Sequence, residues 1–217
     1  RSWETLVHEK DIDQTNAVLT LNNIVSVYNN EQKFPEMDAY CISKLYADWK
    51  GLSQTAITTA LSVDNILDTI DDMFVDQSEH RVTPTGRILY VTPTVAKLIR
   101  NARAIDRQIS ISNFGGRVTR DVNAIDNVII EEVPSELMQT AYDFSEGWKK
   151  GVSAKQINML LVDPNAVITP VSYSAARLDP PSAGSKNKWV YFEESYEDVF
   201  ILNQKVHGLK FHCETGA

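Results

Sequence analysis

An α+β fold is predicted by three observations. Apolar residues recur at helical spacing over residues 15 to 49 and again from Val63 to Phe74. Two strand-like runs each end in a residue followed by proline and then an apolar segment expected to be helical, RILYVTP from Arg87 and QINMLLVDP from Gln156. Two more, VSYSAA and WVYFEESYEDVFILN, flank the turn-rich LDPPSAGSKNK, as in a long two-stranded arm with an exposed tip.

The 217 residues suffice for one large domain or two small ones with a sizeable core. Hydrophobic residues make up 43% and charged residues 23%, which excludes a dominant disordered or fibrous segment. No apolar run approaches the roughly 18 residues of a membrane span. The formal net charge of -8 argues against a surface that grips phosphate backbones. Cys41 and Cys213 lack metal-ligand spacing and read as two reduced thiols; nothing in the sequence supports a bridge between them.

Arg1 to Ile12 alternates loosely, as a strand without a visible partner upstream. Since the sequence begins at Arg1 rather than Met, the expectation is a hairpin whose first strand is missing, with residues 1 to 12 poorly ordered or paired with another molecule. Thr15 or Asn16 can cap a helix whose apolar face is Val18, Leu21, Ile24, Val25 and Tyr28. Pro35 interrupts, yet Met37, Cys41, Ile42, Leu45 and Tyr46 continue at helical spacing, and proline is tolerated in a first turn. Residues 15 to 49 are therefore one long kinked helix or two in tandem. Gly51 to Ala60 is small and polar, a hinge, and Ser62 can cap the next helix, with its stripe of Val63, Ile66, Leu67, Ile70, Met73 and Phe74. Arg107 to Ser112 alternates, Phe114-Gly115-Gly116 turns the chain, and two short strands surround Asp126-Asn127. Residues 135 to 155 read as a long loop, and HGLKFHC as a final strand.

No catalytic, cofactor or metal set assembles from these residues. Of His8, His80, His207 and His212, only the last two are near neighbours, and five residues apart in a strand they face opposite sides. Each is expected to be packed or solvated, and no GxSxG, HExxH or CxxC pattern occurs. Asp64, Asp68, Asp71 and Asp72 lack the glycine turn of an oxygen-ligand loop and read as a solvated helix face. Both strand-turn units place proline where a phosphate loop needs glycine and bare N–H groups, so they are built to pack. Phe114-Gly115-Gly116-Arg117 is better explained as a turn than as a phosphate nest. Glu131-Glu132 and Glu193-Glu194 point to opposite faces within each pair and are expected to solubilise strand edges. Arg100, Arg103 and Arg107 read as a surface ion-pair face. An α/β metabolic enzyme would need a pocket of convergent polar groups, which these motifs do not form.

One ordered set of motifs resembles a known family. Asp11-Ile-Asp-Gln-Thr-Asn16, Phe34-Pro-Glu-Met-Asp-Ala-Tyr40, Arg87-Ile-Leu-Tyr-Val-Thr-Pro93, Ala124-Ile-Asp-Asn-Val-Ile-Ile-Glu-Glu-Val-Pro134, Ile157-Asn-Met-Leu-Leu-Val-Asp-Pro164 and Tyr196-Glu-Asp-Val-Phe-Ile-Leu-Asn203 resemble, in this order, the major capsid proteins of tailed bacteriophages with the HK97 fold. The resemblance implies a partial E-loop at 1-14, a peripheral (P) domain with spine helix and β-arm at 15-58 and 172-200, and an axial (A) domain at 59-171 and 201-217. The family's amino-terminal arm and outgoing E-loop strand are not matched, so the resemblance implies an amino-terminally truncated form.

The resemblance further implies a structural protein of the virion capsid, not an enzyme, assembled in the bacterial host cytoplasm. Its first partner would be itself, in hexamers and pentamers that close an icosahedral shell around double-stranded DNA without binding it specifically. Scaffolding, portal and head-decoration proteins would be further partners; no membrane, cofactor or metal is implied. An encapsulin-like compartment shell enclosing cargo protein is the alternative with the same fold. Candidate inter-subunit contacts are Trp3, His8, Lys186, Lys188 and Trp189, because exposed aromatics and cations are common interface anchors. Trp189 reads equally well as ordinary sheet packing.

Overall fold

The computed structural model describes residues 2–8, 10, 20–102, 110–111, 118–119, 124–125, 128–145 and 147–215. In chain order its elements are β1 (Ser2–Val7), α1 (Leu21–Tyr28), a π turn (Asn29–Lys33), α2 (Phe34–Gly51), α3 (Ile66–Glu79), β2 (Ile88–Val91), α4 (Pro93–Asn101), β3 (Ser110–Ile111), β4 (Val118–Thr119), β5 (Ala124–Ile125) and β6 (Val128–Glu132). There follow β7 (Tyr142–Asp143), β8 (Lys149–Lys150), β9 (Ile157–Val162), β10 (Val167–Ile168), β11 (Val171–Asp179), β12 (Trp189–Glu197), β13 (Phe200–Ile201) and β14 (Leu209–Cys213). The chain divides into two units, Arg1–Cys41 with Thr169–Val199, and Ile42–Ile168 with Phe200–Ala217.

In the first unit β11 and β12 form the expected antiparallel arm. β1 joins the other edge of β12, with Ser2 opposite Glu194 and Val7 opposite Trp189. This overturns the expectation that residues 1 to 12 lack an intramolecular partner, for all of β1. The physical reason is that β12 has two edges and β11 uses only one, so the alternating SWETLV finds a complete ladder within the chain. Alternation divides the side chains. Trp3, Thr5, Val7, Tyr191, Glu193 and Ser195 share the face that is the more buried, and Ser2, Glu4, Leu6, Tyr173 and Tyr196 share the exposed face.

Thr15, Asn16 and Val18 lie outside the described residues. The helix as described begins at Leu21, where Thr20 accepts a hydrogen bond from the Asn23 amide at 3.4 Å. Leu21, Ile24, Val25 and Tyr28 form its less exposed face, as the spacing predicts. The two helical segments are continuous, and Pro35 is accommodated by the π turn before it, where the Phe34 amide bonds the Asn29 carbonyl. Proline removes one amide donor and crowds the preceding turn, which the wider π turn relieves.

The second unit is built on a sheet of order β14-β9-β2-β6-β5. β2 runs parallel to β6 and antiparallel to β9, and β14 runs antiparallel to β9. Leu89, Val91, Met159 and Leu161 meet Ile66, Ile70 and Met73 of α3 and Val95, Ala96 and Ile99 of α4 in one buried cluster. Phe211 points to the opposite face of β14 and packs on Trp49 of α2, ring centroids 4.9 Å apart. α4 begins as predicted, with Thr92 at its cap and Pro93 in its first turn.

Several expectations change. The second strand-proline unit holds no helix: Asp163 accepts from the Asn165 amide at 3.0 Å, and Pro164–Ala166 is a single 3-10 turn that leads straight into β10. Pro170, six residues after Pro164, leaves no room for an amphipathic helix. Ser62 does not cap α3; Asn65 stands at the cap, its side-chain oxygen accepting from the Ser62 amide at 2.7 Å. The stretch from 135 to 155 contains a 3-10 turn (Ser135–Leu137) and the pair β7–β8. β5 and β6 pair around residues 126 and 127; those two, with Phe114-Gly115-Gly116-Arg117, Arg103 and Arg107, lie outside the described residues. No described helix is long and apolar enough to cross a membrane.

Candidate assembly interface

The exposed face of the three-stranded sheet carries much large apolar surface. Tyr173 and Tyr196 are 49% and 56% exposed, and as register partners hold their rings 5.9 Å apart. Leu6 projects from β1 on the same face, half exposed, whereas the exposed Leu178 and Val171 of β11, opposite Tyr191 and Glu197, belong to the other face. Cross-strand pairing keeps these side chains in fixed positions while leaving them to solvent. At the tip, Lys186 and Asn187 both take positive φ, 53° and 60°, the conformation of a tight reversal between twisted strands. The Asn187 amide closes the loop on the Ser182 carbonyl at 2.9 Å, and the Ser185 hydroxyl donates to the Lys188 carbonyl at 2.7 Å.

Of the five candidate contact residues, Lys186 is exposed at this tip. Lys188 is half-buried beside it, and half-buried Trp189 stands opposite Val7 in the ladder. His8, just past β1, accepts from the Lys10 amide through Nδ1 at 3.1 Å. Trp3 is engaged inside the unit: its ring stacks on Tyr28 at 4.1 Å and its indole N–H donates to Glu193 at 3.3 Å.

Glu193 departs from the expectation that it solubilises a strand edge. It is buried, paired with the Lys33 ammonium, and accepts from the Tyr191 hydroxyl at 3.0 Å. Burial opposes its ionisation, but Lys33, Tyr191 and Trp3 outweigh burial and hold the carboxyl below the usual carboxylate range. β12 is the central strand, so the side chain meets neighbours on both sides. Glu132 does lie at the surface, where Arg100 donates to it at 2.7 Å, and Asp64, Asp68, Asp71 and Asp72 are exposed as expected.

The histidines separate into two kinds. His212 is buried, with Nε2 2.8 Å from the Thr59 carbonyl, and burial lowers its pKa. His80 and His207 lie 127 positions apart in sequence, yet their rings stack at 3.7 Å beside Asp76. Burial first, then His80 and Lys210, lowers the His207 pKa against the opposing pull of Asp76. The signal for this cluster was the Asp76–His80 spacing of one helical turn, but its third member arrives only through the fold. Cys41 and Cys213 are free thiols, and burial pushes each up to about 11, so both stay protonated near neutral pH.

The architecture has close counterparts among solved structures. A chain of the bacteriophage PhiM1 mature capsid superposes with a TM-score of 0.65 at 12% identity, covering 100% of this chain and 71% of that one. A chain from the capsid structure of the cyanophage P-SCSP1u gives 0.63 at 11% identity, over 100% and 72%. The fold is the HK97-like capsid fold. A third HK97-like match, from Mycobacterium phage Che8, gives 0.59 at 13% identity, over 98% and 69%. No protein-family model and no curated protein sequence matches the chain.

Proposed function

We propose that the chain is a structural shell subunit, the major capsid protein of a tailed bacteriophage, without enzymatic activity. The observation that carries this reading is the match over the whole chain to two capsid chains of unrelated sequence. A fold matched along the whole of this chain at such low identity supports a shared mechanical role. The exposed Tyr173–Tyr196 face supports it independently, since large fixed aromatics left in solvent suit contact with further copies.

In this reading residues 15-58 and 172-200 are the peripheral domain, 59-171 and 201-217 the axial domain, and 1-14 part of the E-loop. Copies associate in hexamers and pentamers that close an icosahedral shell around double-stranded DNA. A net charge of -8 suits a wall that encloses DNA without trapping it. Lys186 and Lys188 at the arm tip and His8 beyond β1 are the cationic and polar contacts; Trp3 and Trp189 contribute only the ring surface left outside the sheet. Scaffolding, portal and head-decoration proteins are the further partners, met in the host cytoplasm where the virion capsid assembles.

The test is light scattering and negative-stain microscopy of the protein, expressed alone and with its genomic neighbours. Closed particles or rings of five and six subunits are expected, with nuclease-protected DNA in particles recovered from infected cells. Protected protein cargo in place of DNA would transfer the reading to an encapsulin-like compartment. A strictly monomeric or dimeric species under every condition overturns the shell reading.

A further inference from the structure

Three metal-ligating side chains meet at one edge of the second unit. Asp76 and His80 stand one turn apart at the end of α3, and His207 lies in the 3-10 segment (Asn203–Gly208) that leads into β14. One carboxylate oxygen and one nitrogen from each imidazole lie within 4.8 Å of one another. The His80 Nδ1 is 2.7 Å from the Asp76 backbone carbonyl. A carbonyl only accepts, so Nδ1 carries the proton and Nε2 keeps its lone pair. His207 presents a buried Nδ1 that finds no hydrogen-bond partner among the described residues. A buried ring nitrogen left unpaired is costly, and a bound cation would satisfy it.

We propose that Asp76, His80 and His207 form a binding site for a divalent transition-metal ion of the zinc class. Two imidazoles and one carboxylate are the donor set such ions take in three-ligand sites, and they discriminate against magnesium and calcium, which prefer oxygen alone. The His80 Nδ1–H donating to a backbone carbonyl is the outer hydrogen bond by which metal-ligating histidines are held in one tautomer. The fourth position is left to water. Bound there, the ion ties the end of α3 to the segment before β14, two parts of the second unit far apart in sequence.

Two features set the terms of binding. Stacked rings direct their in-plane lone pairs side by side, so one ring must tilt for both to reach a single ion; the exposed His80, just beyond the last turn of α3, is the one free to do so. The Lys210 ammonium pairs with the Asp76 carboxylate and competes with the ion for it. The lysine therefore sets the affinity, and removing its charge should tighten binding.

The test is calorimetric titration of the full chain, free of any tag and stripped with chelator, with zinc chloride. Wild type should saturate with one ion per chain, with an excess of magnesium chloride leaving the binding unchanged. His207→Ala and His80→Ala should each weaken binding tenfold or more, and Lys210→Met should tighten it tenfold or more. Cobalt chloride should give the visible absorption of a four-coordinate site in wild type and not in the histidine variants. Should His207→Ala fail to fold, His80→Ala decides the matter, because its side chain is exposed. No saturable binding by wild type, or binding unchanged in His80→Ala, overturns the site.

Discussion

Tyr28 and Lys33, five residues apart on one helix, reach two residues that face each other across paired strands. Tyr28 stacks on Trp3, Lys33 binds Glu193, and Trp3 and Glu193 are register partners in β1 and β12. In a regular α-helix residues five apart diverge by about 140° around the axis. The π turn at Asn29–Lys33 removes most of that divergence and brings both side chains to the same sheet. Lys33→Met leaves the Glu193 carboxylate enclosed without its cation and should cost about 2–4 kcal/mol, measured by denaturant unfolding. Lys33→Met with Glu193→Leu should recover most of the loss; a double variant as unstable as the single would place the effect elsewhere.

Acid should loosen the same sheet. The Glu193 carboxyl titrates below its usual value in the folded chain, so the unfolded chain binds the proton more readily. Its contribution is complete above the ordinary carboxylate pKa and is lost as the pH falls through the lower, folded value. Wild type should therefore lose more stability than Glu193→Gln on acidification below about pH 4.5. Melting temperatures of the two proteins between neutral and acid pH check this, and parallel curves would remove Glu193 as the acid-sensitive group.

Gly208 is required for close approach rather than for backbone freedom. A Cβ there would come within 2.6 Å of the Ala166 Cβ, and the Gly208 carbonyl already accepts from the Asp163 amide at 2.8 Å and the Gln77 side chain at 2.9 Å. Gly208→Ala should destabilise by about 1–3 kcal/mol through overpacking. Gly208→Ala with Ala166→Gly should restore part of the loss in the same unfolding assay.

Arg87 closes the end of α3 from β2's side. Buried, it donates to the carbonyls of Thr83, Phe74 and Val82 at 2.9, 3.3 and 2.7 Å and to the Ser78 hydroxyl at 3.1 Å. Arg87→Met keeps much of the bulk but strands these acceptors, and should cost about 2–4 kcal/mol. Hydrogen exchange should then accelerate selectively from residue 74 to residue 82; uniform acceleration would count against a local role.

The outward tyrosines should matter for assembly and not for folding. Tyr173→Ser with Tyr196→Ser should shift stability by no more than about 1 kcal/mol, as exposed substitutions usually do. Particle yield by sedimentation should fall severalfold. Unchanged yield would show that contacts between copies use another face.

The helical segments, the arm and the two strand-proline turns were legible because each is fixed within about 20 residues by spacing or by turn chemistry. Thr92-Pro93 starts a helix because an apolar stripe follows it; Asp163-Pro164 does not, because Pro170 comes six residues later and leaves too short a run for such a stripe. The place of β1 was misread because strand pairing is decided by which edge is open, and the open edge of β12 lies almost the whole chain away. The role of Glu193 followed from that error, since its burial depends on β1 being present. The His80–His207 stack had no local signal at all.

The interleaving of the two units has a consequence for synthesis on the ribosome. β14 completes one edge of the central sheet against β9, yet the whole arm is translated between them. At roughly 5–20 residues per second, β9 waits several seconds with that edge open. The nascent second unit thus spends its most vulnerable interval as an unfinished sheet of buried, apolar character. A chaperone that shields strand edges would find its substrate here.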